Sequence, residues 1–268
     1  MEELVRYAID SASSKSVEYA EARLHIDTGT GLTLNNGIPE PVQLARAKGI
    51  AVRILVDGAI GFASTNDLSR ESLSEVVEVA YRTAKASKRL VPRPIRLSSE
   101  KAEQARWESK PRKTLLDVTT EEKFELLEDI EKNLARGVVK VDLPSRTLVL
   151  ADDITDRYFA NTEGARIHGI VSRISLLFVL TANEPGKGTI QRIEHHGETG
   201  GWEQLQQWNP PKLVSEEAAT LGRILREGKE APREELDLVL GPQVTGIVCH
   251  ESCGHPQEAD RILGREAA

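Results

Sequence analysis

The stretch GIAVRILVDGAIGFAST, residues 49–65, is the part of the sequence that decides the fold class. It holds two short apolar runs that meet at Gly58, a pattern typical of neighbouring β-strands. Three earlier runs have the same character and are separated by Gly, Asn and Pro: EYAEARLHID at 18–27, TGLTLNNG at 30–37 and PVQLARAK at 41–48. Together these runs predict a meander of strands.

Two helices are predicted around this meander. Apolar residues at helical spacing predict the first helix over residues 2–13. Residues 66–87 predict the second, because they begin with a capping pattern and carry an apolar stripe on one face: Leu68, Leu73, Val76, Val77 and Ala80. We therefore expect an N-terminal α+β domain over residues 1–90, built from a strand meander plus helix.

A stretch rich in Pro and charge, residues 91–114, predicts a linker, and a middle α+β domain is expected over 115–230. This domain begins with a helix capped by Thr119 or Thr120 and ends with a helix over 211–228. The strands predicted between them are SRTLVLADD at 145–153, DRYFANT at 156–162, ARIHGIVSRISLLFVLTANE at 165–184 and GTIQRIEHHGETGGW at 188–202.

A third unit is expected over residues 231–268. Pro232 marks a break, and ELDLVLGP at 235–242 predicts a strand that leads into QVTGIVCHESCGH at 243–255. The chain stops at Ala268 inside a predicted helix, so we interpret this unit as the first part of a larger domain. The fold class predicted for the whole is α+β.

Composition narrows the functional classes. The 268 residues are 39% hydrophobic and 29% charged, as in an ordinary globular protein. A net charge of −7, spread evenly, makes a nucleic-acid partner unexpected. No apolar run approaches the roughly 20 residues of a bilayer helix, and the N-terminus has no secretory pattern. Two cysteines predict no disulfide framework, so the expectation is a cytoplasmic protein without a membrane partner.

The segment CHESCGH, Cys249 to His255, concentrates residues that bind metals. A zinc hydrolase needs neutral imidazoles to hold the ion and a carboxylate to take a proton from water. His250 and His255 offer the imidazoles, and Glu251 offers the carboxylate beside one of them. The string HExxxH alone is a moderate signal, and a helix with ordinary polar residues would also account for it.

The spacing of the two histidines demands an irregular helix. On a regular α-helix, side chains five positions apart point roughly 140° apart, which is unsuited to chelating one ion. A single π-type turn would reduce this angle to about 50°. Alternatively, one helix ends at Gly254 and another begins with Pro256 at its first position. Either arrangement predicts an irregular helix across the motif.

The remaining histidines are weaker candidates. His195 and His196 are neighbours in a predicted strand, so at most one could serve a given site, and a surface hairpin is the preferred interpretation. His25 and His168 lie in strand patterns and are expected to be exposed or hydrogen-bonded. No P-loop, dinucleotide fingerprint or Ser/His/Asp constellation is present.

Three segments resemble the TldD/PmbA family of zinc peptidases. The motif region GPQVTGIVCHESCGHPQEADRILG at 241–264 is similar to the TldD branch, which bears HExxxH followed by the pattern GHxxExD. The strand pair with the start of its helix at 49–69 and the segment FANTEGARI at 159–167 resemble the family's N-terminal and middle domains. Residues 231–268 would then begin the β-rich C-terminal metallopeptidase domain of that family.

The resemblance implies roles for the motif residues. His250 and His255 would bind Zn²⁺, and Glu251 would be the general base that passes a proton to the leaving amine. Glu258 and Asp260 would hydrogen-bond to the metal-binding imidazoles, or else would simply place negative charge at a helix N-terminus. Family members cut unfolded or extended peptides and assemble as dimers, so we expect a peptide substrate and either a PmbA/TldE-like partner subunit or a homodimer.

One feature departs from the family pattern. The family's third zinc ligand is a cysteine far downstream, in a region that residues 1–268 do not include. Cys249 and Cys253 do not align with that ligand and are expected to be small buried helix residues. Three hypotheses therefore stand: a zinc-dependent TldD-like peptidase, a non-catalytic peptide-binding or scaffold subunit, and a fragment that is inactive by itself.

Overall fold

The computed structural model describes residues 1–135 and 141–264. The chain forms two compact units, Met1–Gly228 and Lys229–Ala268, and each is described separately below. The helices of the first unit are α1 (Glu2–Ser13), α2 (Arg70–Ser87), α3 (Thr120–Ala135), α4 (Glu203–Trp208) and α5 (Pro210–Glu227). Its strands are β1 (Tyr19–Asn35), β2 (Ile38–Pro39), β3 (Gln43–Val56), β4 (Ala59–Thr65), β5 (Gln104–Glu108), β6 (Asp142–Asn161), β7 (Arg166–Glu184) and β8 (Gly188–Thr199). The α+β fold class is confirmed.

All of these strands join one sheet. Its order is β4-β3-β1-β6-β7-β5, with β2 paired to β1 and β8 paired to β7. Every pairing is antiparallel except that of β5 with β7. The sheet therefore runs without interruption through the first two predicted domains, whose bounds at residues 90 and 115 stay a prediction.

The helices that build the two hydrophobic cores lie on the same face of this sheet. Ala20, Ala22 and Leu24 of β1 are buried with α1 and α2, whereas Leu32 and Leu34 of the same strand are buried with α3 and α5. Because alternate residues of a strand point to one side, these even-numbered residues share a face. The odd-numbered residues of β1 and their cross-strand neighbours form the opposite face, which we call the open face.

The predicted meander is built from fewer and longer strands than expected. The runs at 18–27 and 30–37 form β1 together, and the runs at 145–153 and 156–162 form β6 together. Gly29 and Gly31 do not interrupt β1 as the sequence suggested. A side chain at Gly29 would clash with the carbonyl oxygen of Asp152, so this glycine permits close backbone approach within the sheet.

The predicted linker also contains structure. Residues 104–108 form β5, which pairs in parallel with residues 166–170 of β7. The sequence did not predict this strand, because its five residues show little pattern of their own and the surrounding sequence is rich in Pro and charge.

The predicted cap of α3 is present. Thr119 caps α3 through a reciprocal pair of hydrogen bonds with Glu122, at 3.1 and 2.9 Å.

The second unit lacks one predicted element. ELDLVLGP at 235–242 forms no strand in the structure, and its side chains are exposed. The prediction of a strand here was wrong for these residues, since a single extended segment needs a paired neighbour to become a sheet strand.

The helix expected to continue to Ala268 falls on residues 265–268, which lie outside the described part. Within the described residues, no helix is long and apolar enough to cross a bilayer.

A buried ion pair fixes α3 to the sheet. The Lys123 ammonium of α3 lies 2.6 Å from the Asp152 carboxylate of β6 and donates a hydrogen bond of 2.8 Å to the Thr30 hydroxyl of β1. Thr30 also donates to Asp152. The two charged side chains are only 4% and 8% exposed. Because a buried charge without its partner is strongly unfavourable, this contact permits little shift of α3 relative to β1 and β6.

We expect Asp152→Ala to destabilise the first unit by about 3–5 kcal/mol, since Lys123 would keep a buried charge with no counter-ion. Urea unfolding followed by circular dichroism measures this loss. Lys132→Ala removes an exposed ion pair with Glu128 on the same helix and should change stability by less than about 0.5 kcal/mol. A double variant, Lys123→Met with Asp152→Leu, should recover most of the loss; equal effects of Asp152→Ala and Lys132→Ala would refute this interpretation.

Candidate metal centre

The HExxxH segment lies on the irregular helix that its spacing requires. In the second unit, α6 (Pro242–Cys249) begins with Pro242 at its first position and is followed by a π turn at His250–Gly254. A 3₁₀ turn at His255–Gln257 and the short helix α7 (Ala259–Ile262) come next. The His255 amide donates to the His250 carbonyl, five residues back, which is the π hydrogen bond. The irregular helix is present as predicted, with the π turn of the first arrangement followed by a 3₁₀ turn that begins at His255.

The π turn brings the three motif side chains together. The imidazole rings of His250 and His255 have centroids 4.5 Å apart and meet edge to face at 82°. The ligand atoms that His250, Glu251 and His255 offer all lie within 4.8 Å of one another. The Glu251 carboxylate is 3.8 Å from Nε2 of His255. The arrangement therefore places two imidazoles and one carboxylate around a common point.

Glu258 orients one of these imidazoles. Its Oε1 atom lies 2.6 Å from Nδ1 of His255, and its Oε2 atom lies 3.4 Å from Nε of Arg261. A hydrogen bond donated by Nδ1 to the carboxylate leaves Nε2 of His255 as the nitrogen with a free lone pair. Nε2 is also the atom nearer Glu251. With Nδ1 as the donor to Glu258, Nε2 is the nitrogen that would be available to a metal ion.

Asp260 behaves differently from Glu258. It lies in the first turn of α7, and its Oδ1 accepts a hydrogen bond of 2.9 Å from the backbone amide of Arg261. Among the described contacts it has none with either imidazole of the motif. Of the two roles that the sequence left open for the acidic pair, the geometry thus gives an imidazole contact to Glu258 and a helix N-terminal position to Asp260.

The two cysteines were expected to be buried, and this expectation was wrong. Cys249 and Cys253 are free and exposed. No described residue of the second unit is buried, and three apolar side chains of α6 are exposed together on one face of the helix: Val244, Ile247 and Val248. The described residues of this unit therefore provide no interior in which the cysteines could be buried.

The other histidines are scattered through the first unit. His195 and His196 lie on β8 with unequal exposure, as expected for neighbours in a strand, and β8 forms an antiparallel hairpin with β7. His168 is 2.7 Å from Asp156 and stacks on Tyr158 with ring centroids 4.1 Å apart. Burial lowers the pKa of His25. In the described part of the chain, His250, Glu251 and His255 form the sole cluster of three metal-ligating groups.

Sequence patterns missed the charged cluster on the open face. Glu21, Arg23 and Arg53 meet there, although Arg53 is distant in sequence from the other two. Glu21 and Arg23 alternate along one strand, which indicates a shared face. Arg53 joins this cluster only because the pairing register of β1 with β3 places it opposite Glu21.

Family comparisons classify both halves of the first unit. Residues 20–84 match the description "PmbA/TldA metallopeptidase domain 1", and residues 113–226 match "PmbA/TldA metallopeptidase central domain". Both matches are to parts of metallopeptidases, in the chain order of that family. The chain belongs to the PmbA/TldD metallopeptidase family.

Curated relatives and solved structures agree with this classification. A metalloprotease of Methanocaldococcus jannaschii is 28% identical over 93% of this chain and 54% of its own length. A metalloprotease of Methanothermobacter thermautotrophicus is 29% identical over 92% of this chain and 52% of its own length. The chain spans about half the length of the curated relatives it matches.

Two solved structures share the fold at low sequence identity. A proposed modulator of DNA gyrase from Bacteroides thetaiotaomicron superposes with a TM-score of 0.64 at 18% identity, covering 84% of this chain and 49% of that one. TldE from Thermococcus kodakarensis superposes with a TM-score of 0.56 at 14% identity, covering 85% and 47%. These likenesses support the architecture described above.

A metallopeptidase family implies a metal ion, and the motif residues fit one. Imidazole nitrogen and carboxylate oxygen are the donors that Zn²⁺ accepts, at about 2.0–2.2 Å. Two imidazoles with ligand atoms this close need little movement to share an ion, and Glu258 contacts Nδ1 of one of them, which directs its Nε2 toward Glu251. The donor set and its hydrogen bonding are therefore suited to zinc.

We expect Glu258→Gln to weaken zinc binding by about 10- to 100-fold, because the neutral amide holds the His255 imidazole less firmly than the carboxylate does. Calorimetric titration of the apo protein with Zn²⁺ measures the change. Asp260→Asn is the matched control two residues away, and we expect it to bind zinc as the unmodified protein does. Equal losses in both variants would show that general negative charge matters here, rather than the contact with His255.

Proposed function

We propose that this chain carries part of the catalytic centre of a zinc-dependent peptidase of the TldD type. The observation that carries the proposal is the π turn, which gathers His250, Glu251 and His255 although their spacing would separate them on a regular helix. Membership in a metallopeptidase family supports it. The curated metalloproteases that the chain resembles support it as well.

The chain's own residues would divide the work as follows. The imidazoles of His250 and His255 hold the ion, and Glu258 keeps His255 in the tautomer that can do so. A bound Zn²⁺ supplies Lewis-acid chemistry, which polarises a peptide carbonyl and lowers the pKa of water. Glu251 accepts the proton of the attacking water and then delivers it to the leaving amine, so that one carboxylate is base and acid in turn.

We further propose that the substrates are unfolded or extended peptides and that the protein acts as a dimer. The partner would be a PmbA/TldE-like subunit or a second copy of this chain. A third protein ligand to zinc is proposed to be a cysteine outside residues 1–268. These statements concern the activity of the whole protein, of which the chain spans about half by comparison with its curated relatives.

Elemental analysis of the purified chain tests the proposal. We expect close to one zinc per chain, lost in His250→Ala and His255→Ala, because each variant removes one of two imidazole ligands. Glu251→Gln should keep its zinc, since this residue is assigned to proton transfer. His195→Ala, a histidine of the first unit, is the matched control and should also keep it.

Activity separates peptidase from metal-binding scaffold. The unmodified chain and Glu251→Gln, both loaded with zinc, are compared on an unstructured fluorogenic peptide, alone and after mixing with a TldE-type subunit. Hydrolysis by the unmodified chain that falls at least 100-fold in Glu251→Gln supports the assignment of this residue as the base. Zinc retained in both single histidine variants, or a measurable rate of hydrolysis that is the same with and without Glu251, would refute the proposed centre.

A further inference from the structure

A carboxylate lies buried on the open face of the sheet. The Glu21 side chain of β1 is only 6% exposed, although the described helices that pack on the sheet in the first unit lie on its other face. Its Oε2 accepts a hydrogen bond of 2.8 Å from the Tyr19 hydroxyl. Its Oε1 accepts two more, from Nε of Arg23 at 3.0 Å and from Nη2 of Arg53 at 2.8 Å. Both carboxylate oxygens are therefore satisfied from within the sheet.

Glu21 remains charged in this environment. Burial by itself would raise the pKa of its carboxyl, but the hydrogen bonds from Arg53 and Tyr19 and the positive charge of Arg53 and Arg23 outweigh burial and hold the pKa below its usual range. At neutral pH the carboxylate is an anion that holds two guanidinium groups in fixed positions.

The two arginines carry more positive charge than Glu21 neutralises. Each guanidinium gives one N–H group to the carboxylate, and their side chains stay 53% and 42% exposed for Arg23 and Arg53. In the described part of the chain, their remaining N–H groups have no hydrogen-bond partner. The Arg23 guanidinium also lies over the Phe159 ring, 5.3 Å from its centroid, which further fixes its position.

A shallow notch lies between these groups. It has a volume of about 170 Å³ and is lined by Glu21, Arg23, Ala51, Arg53 and Phe62. Phe62 of β4 is directly opposite Arg53 in the sheet and is 59% exposed. Ligand pockets for whole cofactors are usually about 300–1,000 Å³, so this notch is suited to a single small group. We call it the arginine notch.

We propose that the arginine notch binds a carboxylate attached to an apolar group, such as the free C-terminus of a peptide that ends in a hydrophobic residue. Two fixed guanidinium groups with outward N–H donors match the oxygens of an incoming carboxylate. The net positive charge of the Glu21, Arg23 and Arg53 cluster attracts an anion, and Phe62 offers apolar contact to the group that carries it. This proposal does not depend on peptidase activity or on zinc.

The apolar wall favours a carboxylate over inorganic phosphate. A phosphate ion shares the oxyanion chemistry that arginine recognises, but it has no apolar part to cover Phe62. The order expected is therefore carboxylate with an aromatic group first, phosphate second, and the uncharged amide last.

The experiment is a titration of the chain at pH 7 with N-acetyl-phenylalanine, followed by the NMR signals of the arginine Nε–H groups. N-acetyl-phenylalanine amide and inorganic phosphate are titrated in parallel. We expect saturable shifts at Arg23 and Arg53 with the carboxylate, weaker binding of phosphate and no saturable binding of the amide. Tighter binding of phosphate would overturn the carboxylate assignment, and equal binding of the amide would show that the arginines play no part.

Lysine variants test the two guanidinium groups without removing their charge. Arg53→Lys and Arg23→Lys should each weaken carboxylate binding on the order of tenfold, because lysine cannot present the planar fork. Arg173→Lys is the matched control: Arg173 lies on the same open face, is 41% exposed and pairs with Asp153 at 3.1 Å. Thermal unfolding checks that each variant is folded. Unchanged affinity in both Arg23→Lys and Arg53→Lys, or an equal loss in Arg173→Lys, would overturn the proposal.

Discussion

The pairing of β1 with β3 along one edge and with β6 along the other is the constraint on which the rest of the first unit depends. One strand supplies buried residues to both hydrophobic clusters: Ala20, Ala22 and Leu24 at its beginning, and Leu32 and Leu34 near its end. A slip of one residue would turn every one of these side chains to the open face. The buried contact of Lys123 with Asp152 and Thr30 opposes such a slip between the two clusters.

Much of this architecture could be predicted from local patterns. Helices α1, α2, α3 and α5 carry strong apolar stripes and recognisable starts, and each lies where the sequence placed it. The ends of the strands were harder to predict, because a glycine in a sequence is usually taken to indicate a turn. Gly29 lies within β1 instead, where its missing side chain permits close contact with β6. Strand β5 was not predicted, because it is held in the sheet by pairing with β7, more than fifty residues away in sequence. Such long-range pairing leaves no trace in local sequence.

More of the candidate metal centre than of the arginine notch could be predicted from the sequence. HExxxH with Gly254 inside it and Pro256 directly after it predicts a distorted turn, and a π turn lies at His250–Gly254. The different surroundings of Glu258 and Asp260 were not predictable, because both are acids near a helix start. In the notch, Arg53 joins Glu21 only through the β1–β3 register. The spacing of residues along the sequence can predict a site within one helix or strand. A site formed by residues of different strands can be identified only once the fold is known.

The central claim is that the π turn makes His250 and His255 ligands of the same zinc ion. X-ray absorption at the zinc edge of the zinc-loaded chain tests it most directly, because nitrogen and sulfur ligands differ in distance. The account predicts two imidazole nitrogens at about 2.0–2.1 Å, with oxygen in the remaining positions. A sulfur shell at about 2.3 Å from Cys249 or Cys253, or fewer than two imidazoles, would contradict it.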